Sequence, residues 1–235
     1  MRYNYAVGKT LALGLGLYSQ MQPQYLHYYK NIDGELINND MGLTKNWQGV
    51  LSHSWDVNSK IKFTAEAYYQ YLFDIPVEQI PSAFSLINTG TGFSRVFPNE
   101  LENSGNAYNY GLELSAQRFF DNGYSYLING TLYQSKYKGS DGIVRNTNFN
   151  GNYMFNALGT KEFNITENTV AGIGANITYA GGRRYGEFDE EQSKLEKEVV
   201  WQQDGYNENQ YKDYFRTDIR ANIVFNRSKI THEIA

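Results

Sequence analysis

The chain has 235 residues, a formal net charge of −4 and no cysteine. Its mean hydropathy is polar and it has no run of about 18 apolar residues, which excludes a membrane-spanning helix. Without cysteine there are no disulfides or thiolate metal sites, and without a basic stripe there is no footprint for nucleic acid. The polar average does not exclude a membrane barrel, whose strands place apolar residues only at every second position. The 21 tyrosines suit strands and membrane interfaces, where the ring is apolar and the hydroxyl stays wet.

Taken in order, the chain opens with a stretch shaped like a signal peptide: Met1-Arg2 to Lys9, then Thr10 to Tyr18. Leu11, Leu13, Leu15 and Leu17 nevertheless alternate strictly with Ala12, Gly14, Gly16 and Tyr18, and no convincing small-x-small cleavage site follows. The spacing therefore predicts a strand over 9–20. A polar stretch with His27, Tyr28, Tyr29 and Asp33-Gly34 separates it from a second strand over 47–56, which carries Trp47, Leu51 and Trp55 on one parity. Val57-Asn-Ser-Lys60 reads as a tight turn. A third strand over 61–71 sets Ile61, Phe63, Ala65, Ala67, Tyr69 and Tyr71 against Lys62, Thr64, Glu66, Tyr68 and Gln70.

The stretch 72–106 reads as a loop, because Pro76, Pro81 and Pro98 confine most of it to non-ladder structure. A long hairpin follows. Its arm over 107–118 carries Tyr110, Leu112, Leu114 and Ala116 against Gly111, Glu113, Ser115 and Gln117; Asp121-Asn-Gly123 is the turn, and the return arm covers 124–138. A loop over 139–152 contains the turn signal Ser140-Asp-Gly142. Strands are predicted over 153–163, with ambiguous faces, and over 169–179, with Ala171, Ile173, Ala175 and Ile177 against Gly172, Gly174 and Asn176. Residues 180–212 form the most charged loop, within which Glu190 to Trp201 could form a short helix. A strand over 211–225 has Phe215, Ile219, Ala221 and Ile223 opposite Arg216, Asp218, Arg220 and Asn222, and 230–235 begins a ninth strand.

These arms run well past the usual five or six residues of a globular strand. The connections alternate long, short, long, short, medium, short, long, short, and such segregation of loop length by end is characteristic of transmembrane barrels with short periplasmic turns and long extracellular loops. The expected fold class is therefore all-β: an antiparallel, up-and-down transmembrane β-barrel segment of about nine strands in one domain over 1–235. The Leu11, Ile61, Tyr110, Ala171 and Ile219 parities should face lipid, and the Glu66, Glu113, Asn176, Arg216 and Arg220 parities the lumen.

Several stretches share a strand grammar with a known family: Tyr68-Tyr-Gln-Tyr-Leu-Phe-Asp-Ile-Pro-Val77, Asn109-Tyr-Gly-Leu-Glu-Leu-Ser115, Leu132-Tyr-Gln-Ser-Lys-Tyr-Lys-Gly139, Asn156-Ala-Leu-Gly-Thr-Lys-Glu-Phe163 and Asp213-Tyr-Phe-Arg-Thr-Asp218. In this order they resemble the C-terminal barrel half of Bacteroidetes TonB-dependent outer-membrane receptors. The resemblance implies a barrel of about 22 strands closed by an N-terminal plug. It also implies outer-membrane lipid around the barrel, and TonB-driven import of a scarce small-molecule, glycan or peptide nutrient. The plug, the TonB-contacting segment and the remaining strands have no counterpart in these 235 residues, so the chain is expected to be a receptor fragment.

No catalytic grouping is visible. His27, His53 and His232 lack metal-ligand spacing, the alternating Gly14, Gly16, Gly172 and Gly174 lack the strand-loop-helix context of a phosphate cradle, and no nucleophile elbow exists. Neither an enzyme nor a cofactor is expected. Ligand contact is assigned to the long loops, at Tyr28, Tyr29, Phe84, Phe93, Arg183, Arg184, Trp201 and Tyr206, where rings offer stacking surface and arginines offer forked donors. Two other readings share some of these features: a passive porin or structural barrel, and a soluble all-β glycan-binding module.

Overall fold

The computed structural model describes residues 1–90, 98–197 and 199–235. In chain order its elements are β1 (Arg2–Ala6), β2 (Lys9–Gln20), α1 (Gln24–His27), β3 (Thr44–Asp56), β4 (Ile61–Glu78), a 3-10 turn (Leu86–Asn88), β5 (Leu101–Asp121), β6 (Tyr124–Lys138), β7 (Val144–Asn146), β8 (Tyr153–Thr166), β9 (Thr169–Ala180), β10 (Arg184–Tyr185), α2 (Glu190–Glu196), β11 (Asn209–Gln210), β12 (Tyr214–Asn226) and β13 (Thr231–Ile234). Apart from the β10–β11 pair, the strands form one antiparallel sheet in sequence order from β1 to β13, with β7 folded back onto β6. The sheet is open, with β1 and β13 at its edges.

All nine expected strands are present, and several are longer than expected. β4 runs on through Pro76 to Glu78, and β5 begins at Leu101. The extension tolerates proline because the β4–β5 register shifts on both sides of Ile75, so the missing N–H falls at an irregularity rather than in a regular ladder. Asp74, with φ of 56°, marks the start of that irregularity. β1, which pairs Arg2 with Ala12 and Tyr3 with Leu11, had no expected counterpart. The last long strand starts at Tyr214 rather than at Tyr211.

The short turns carry their own chemistry. Asn58 Oδ1 accepts from the N–H groups of Lys60 and Ile61 at 2.8 and 3.0 Å. Asn122 and Gly123 both have positive φ, 51° and 77°, as the two central residues of a type I′ hairpin turn require.

Directly paired residues share a face, so the register shows which side chains lie together. One row reads Leu13, Leu51, Ala67, Leu112, Leu132 across β2 to β6. The rows on either side add Leu11, Leu114, Phe155 and Tyr179, and Leu15, Tyr69 and Tyr110. The result is one continuous apolar face. No described layer covers it: Leu15, Leu17, Leu114, Ile128 and Ile173 are each half or more exposed.

This face is banded. Trp47, Tyr71 and Tyr108 are paired in register towards the long-loop end, and Trp55 and Phe63 are paired towards the short-turn end. Trp47 and Trp55 are about 26 Å apart along β3 at ~3.3 Å per residue, or about 20 Å of height at a tilt near 40°. The opposite face is polar. Gln48, Gln70 and Asn109 form a side-chain ladder with two bonds of 3.0 Å. Glu66 and Glu113 are directly paired across β4 and β5, and no ion pair to either occurs among the described residues.

The fully buried residues lie at the long-loop end instead. Four connections gather there: loop 1 (21–43), loop 2 (79–100), loop 3 (139–152) and loop 4 (181–213). Leu26 of loop 1, Ala83 and Leu86 of loop 2, and Ile75, Val77, Leu101, Ala107 and Tyr137 at the strand ends make a small core. Strand length explains this arrangement. β4 and β5 project beyond the aromatic band, so their last residues need covering by loops and not by lipid.

Candidate functional site

Side chains that bond to backbone tie the loops to one another. Tyr137 Oη donates to the Ala83 carbonyl at 2.8 Å, and Gln203 Oε1 accepts from the Ala83 N–H at 2.7 Å. These bonds tie loop 2 to β6 and to loop 4. The Asn148 N–H donates to Asn88 Oδ1 at 3.0 Å, and Asn207 Nδ2 donates to the Asn146 carbonyl and Asn148 Oδ1 at 3.0 and 2.6 Å. Loop 3 is thereby held between loops 2 and 4. Each of these amides answers a backbone group that a loop would otherwise bury unpaired.

Arg145 sits at the centre of this network with its side chain only 6% exposed. Its guanidinium forks onto Asp141 at 2.9 and 2.6 Å and donates to the Gln203 carbonyl at 3.1 Å. Burial on its own would raise the Asp141 carboxyl, but the Arg145 hydrogen bonds and charge hold it below the usual carboxylate range. Burial also pushes the Tyr206 phenol upward, partly offset by the Arg145 charge.

Loop 4 leaves the sheet as a narrow hairpin: the β10–β11 pair, then a bridge between Phe188 and Trp201, then α2 at the tip. The Asp189 side chain caps α2 by accepting from the Gln192 N–H at 3.0 Å. The expected helix is thus confined to the first part of the 190–201 stretch, ending where Lys197 takes a left-handed conformation, φ 59°.

Where loops 2, 3 and 4 meet, a groove of 310 Å³ is lined by Asn88, Asn148, Phe149, Arg183, Arg184, Tyr185, Trp201, Tyr206 and Tyr211, among others. An adjoining hollow of 500 Å³ shares Tyr185, Trp201 and Tyr211 and adds Glu187, Phe188 and Glu190. Tyr185 and Tyr211 stack at 4.3 Å between ring centroids, and Trp201 meets Tyr206 edge-on at 6.2 Å. The Arg183 guanidinium lies 5.3 Å from the centre of the Phe149 ring. The groove is therefore walled by rings and carries Arg183 and Arg184, while the carboxylates Glu187 and Glu190 line the adjoining hollow. Rings offer stacking surface there, and the exposed Arg183 guanidinium offers donors to anionic oxygens.

Four of the eight sequence-derived candidates line this groove: Arg183, Arg184, Trp201 and Tyr206. The two arginines have different surroundings. Arg184 donates to the Asn150 and Glu208 carbonyls and to Asn152 Oδ1, at 3.1, 3.0 and 2.7 Å, so it clamps loop 3 to loop 4. Arg183 is exposed, with its guanidinium over the Phe149 ring. Tyr28 is 76% exposed at the end of α1, and Tyr29 is half-buried beside it; both lie in loop 1, outside the groove lining. Phe84 is half-buried in loop 2 and also outside the lining, and Phe93 lies outside the described residues. Sequence reading missed Tyr185 and Tyr211, which the β10–β11 pairing within loop 4 brings to the site, and Phe149, which joins it from loop 3. The asparagine-rich run Asn146 to Asn152 was the available signal for the inter-loop network. Among the described residues, no cluster of three His, Cys, Asp or Glu could hold a metal ion.

The whole sheet and its loops superpose on large uptake proteins. The FrpB iron transporter from Neisseria meningitidis matches with a TM-score of 0.59 at 11% identity, over 96% of this chain and 31% of that one. The fold is that of a transmembrane β-barrel wall. The ferric yersiniabactin uptake receptor FyuA from Yersinia pestis matches at 0.58 and 14% identity, over 95% of this chain and 28% of that one. The ferric-catecholate import receptor Fiu from K12 E. coli, in its closed form, matches at 0.60 and 13% identity, over 97% and 28%. The chain thus spans about 30% of the length of these structures. No protein-family model and no curated protein sequence matches it. With this fold the apolar face is the lipid face of the wall and the polar face its lumen side.

Proposed function

We propose that the chain is part of the wall and outer loops of an outer-membrane receptor that imports a scarce nutrient by TonB-dependent, energised uptake. The observation that carries the reading is the ring-walled groove with Arg183 at the long-loop end of a receptor-type barrel wall. The similar structures are named for iron or ferric chelates, and the groove's chemistry fits a ligand of that kind: planar donor rings for the tyrosines and tryptophan, anionic oxygens for Arg183. In this reading the rest of the barrel and a plug domain complete the protein, and the plug couples it to the TonB complex. The directly opposed Glu66 and Glu113 on the lumen face support such a filling, since two like charges placed across a strand pair call for a cation from whatever occupies the lumen. A Bacteroidetes origin is part of this proposal and rests on the resemblance of the strand motifs alone.

Ligand binding by the full-length receptor tests this. Arg183→Ala and Trp201→Ala should each weaken binding by about thirtyfold or more, the mark of a hot spot worth at least ~2 kcal/mol, while the barrel still folds. Unchanged binding in both variants would remove the groove from the reading. Uptake that persists after the proton-motive force is collapsed would replace the energised receptor with a passive porin.

A further inference from the structure

The short-turn rim of the lipid face carries a cation cluster that ligand import does not use. Arg118 and Lys161 lie on the apolar parity of β5 and β8, Arg118 paired directly with Ile61 and Tyr126 and Lys161 with Tyr124 and Ile173. Both converge on one ring: the Arg118 guanidinium carbon is 4.1 Å and Lys161 Nζ 5.2 Å from the centre of Tyr124. A third cation, Lys60, reaches in from the β3–β4 turn. Asp121 is the one carboxylate in the group, bonded to Lys60 at 2.6 Å and to Arg118 at 3.4 Å. Three cations around one carboxylate leave two positive charges, and buried Arg118 Nε has no described acceptor. Lys161 Nζ donates to the Asn122 carbonyl at 3.3 Å and has further protons to offer. Glu162, next along the chain, belongs to the lumen face, where alternation turns it away from the cluster.

Directly above this cluster, on the same strands, the lipid face is hollow. A groove of 460 Å³ runs over Ala65, Ala116 and Gly130, where two methyl groups and bare backbone form its floor, with Trp55, Phe63 and Phe155 among its walls. Ala116 is two residues from Arg118 along β5, about 7 Å at ~3.4 Å per residue. A net positive, phosphate-seeking cluster therefore opens straight into an apolar channel at the depth where a lipid's glycerol region meets its acyl chains.

We infer that Lys60, Arg118 and Lys161 around Tyr124, with the groove over Ala116 and Gly130, form a seat for one anionic phospholipid of the inner, periplasm-side leaflet. The cluster takes the head-group phosphate and the groove takes an acyl chain. This rests on the reading of the sheet as an outer-membrane barrel wall with its short turns toward the periplasm.

The test is native mass spectrometry of the full natural protein in a neutral detergent, titrated with phosphatidylglycerol or with phosphatidylcholine of identical acyl chains. Phosphatidylglycerol should be retained in preference. The double variant Lys60→Gln, Lys161→Gln should lose about 25-fold in phosphatidylglycerol retention, about fivefold per cation near a membrane surface, with phosphatidylcholine unchanged. Arg118 is left in place because it packs under Tyr124. Ala116→Leu, which fills the groove floor, should lower retention of both lipids. Equal retention of the two lipids by the wild type, or full retention by the double variant, overturns the seat. Displacement of phosphatidylglycerol by inorganic phosphate at equal concentration overturns the lipid and leaves a simple phosphate site. A protein that is not heat-modifiable and does not stay with membranes overturns the barrel reading and the seat with it. A protein that inserts normally but holds no phosphatidylglycerol overturns the seat alone.

Discussion

Asp141 and Arg145 join charge chemistry to loop architecture. Arg145 stays protonated at any working pH, since its partner Asp141 raises it further despite the cost of burial. Asp141 is the group that titrates. Its folded carboxyl lies below the ordinary value of about 3.9, so the pair contributes its full stabilisation above that value and loses it as the pH falls through the lower, folded one. Amide exchange in residues 140–147, corrected for intrinsic rate, should be constant from pH 7 to about 4 and accelerate below. Arg145→Lys should accelerate it at pH 7, because an ammonium cannot hold both Asp141 oxygens and the Gln203 carbonyl at once. A second contrast tests the two faces. Leu112→Arg puts a guanidinium on the lipid face between Ala67 and Leu132, midway between the two aromatic bands, whereas Asn176→Arg puts one on the lumen face directly opposite Asp218. The first should cost about 2 to 4 kcal/mol, less near the interface, and block membrane assembly. The second should assemble at wild-type yield, and equal yields on a heat-modifiability gel would refute the face assignment.

At the scale of elements, the strands were legible and the loop cluster was not. A strand such as β5 announces itself because each residue's face depends only on parity: Tyr110, Leu112 and Leu114 must go one way and Glu113 and Ser115 the other, whatever the rest of the chain does. β8 was ambiguous because Met154 and Leu158 on its lumen face are as apolar as Phe155 and Phe163 on its lipid face; only the register with β6 and β9 sorts them. The loops obey no period. Their arrangement depends on contacts between residues about 60 apart, such as Asn148 with Asn88 and Asn207 with Asn146, which no local pattern encodes. Sequence did place Arg183, Arg184, Trp201 and Tyr206 in one loop, but not Phe149 against Arg183. Loops 3 and 4 approach backbone to backbone at Gly181: a Cβ there would lie 1.8 Å from the Gly151 carbonyl oxygen. Gly181→Val must therefore push loop 4 off loop 3. The expected result is a barrel that assembles normally, with limited proteolysis cutting between residues 183 and 213 at least tenfold faster than in wild type. Unchanged cleavage would mean that the loops are not packed in this way.

For the molecule as a whole, the open edges set the behaviour. β13 pairs only with Ile223–Asn226 of β12, so most of β12 from Tyr214 onward has β9 on one side and no described strand on the other. At the opposite edge β1 pairs with β2 only up to Ala12, and from Gly14 onward β2 is bonded to β3 alone. Each bare edge is a row of N–H and C=O groups at membrane depth, and each such group left unpaired in hydrocarbon costs several kcal/mol. Curling these strands until β1 meets β13 offers no remedy, because the two edge strands are five and four residues long while the strands between them reach 21. A matched seam of that length could not close along the full height of the wall. The 235 residues alone, refolded from urea into lipid vesicles or a planar bilayer, should therefore give no discrete and lasting conductance step. They should aggregate through their edges or pair with other strands supplied in trans. A steady single-channel conductance from the 235-residue chain would mean that the edges do close, and the wall would then have to be redrawn as a small self-contained barrel.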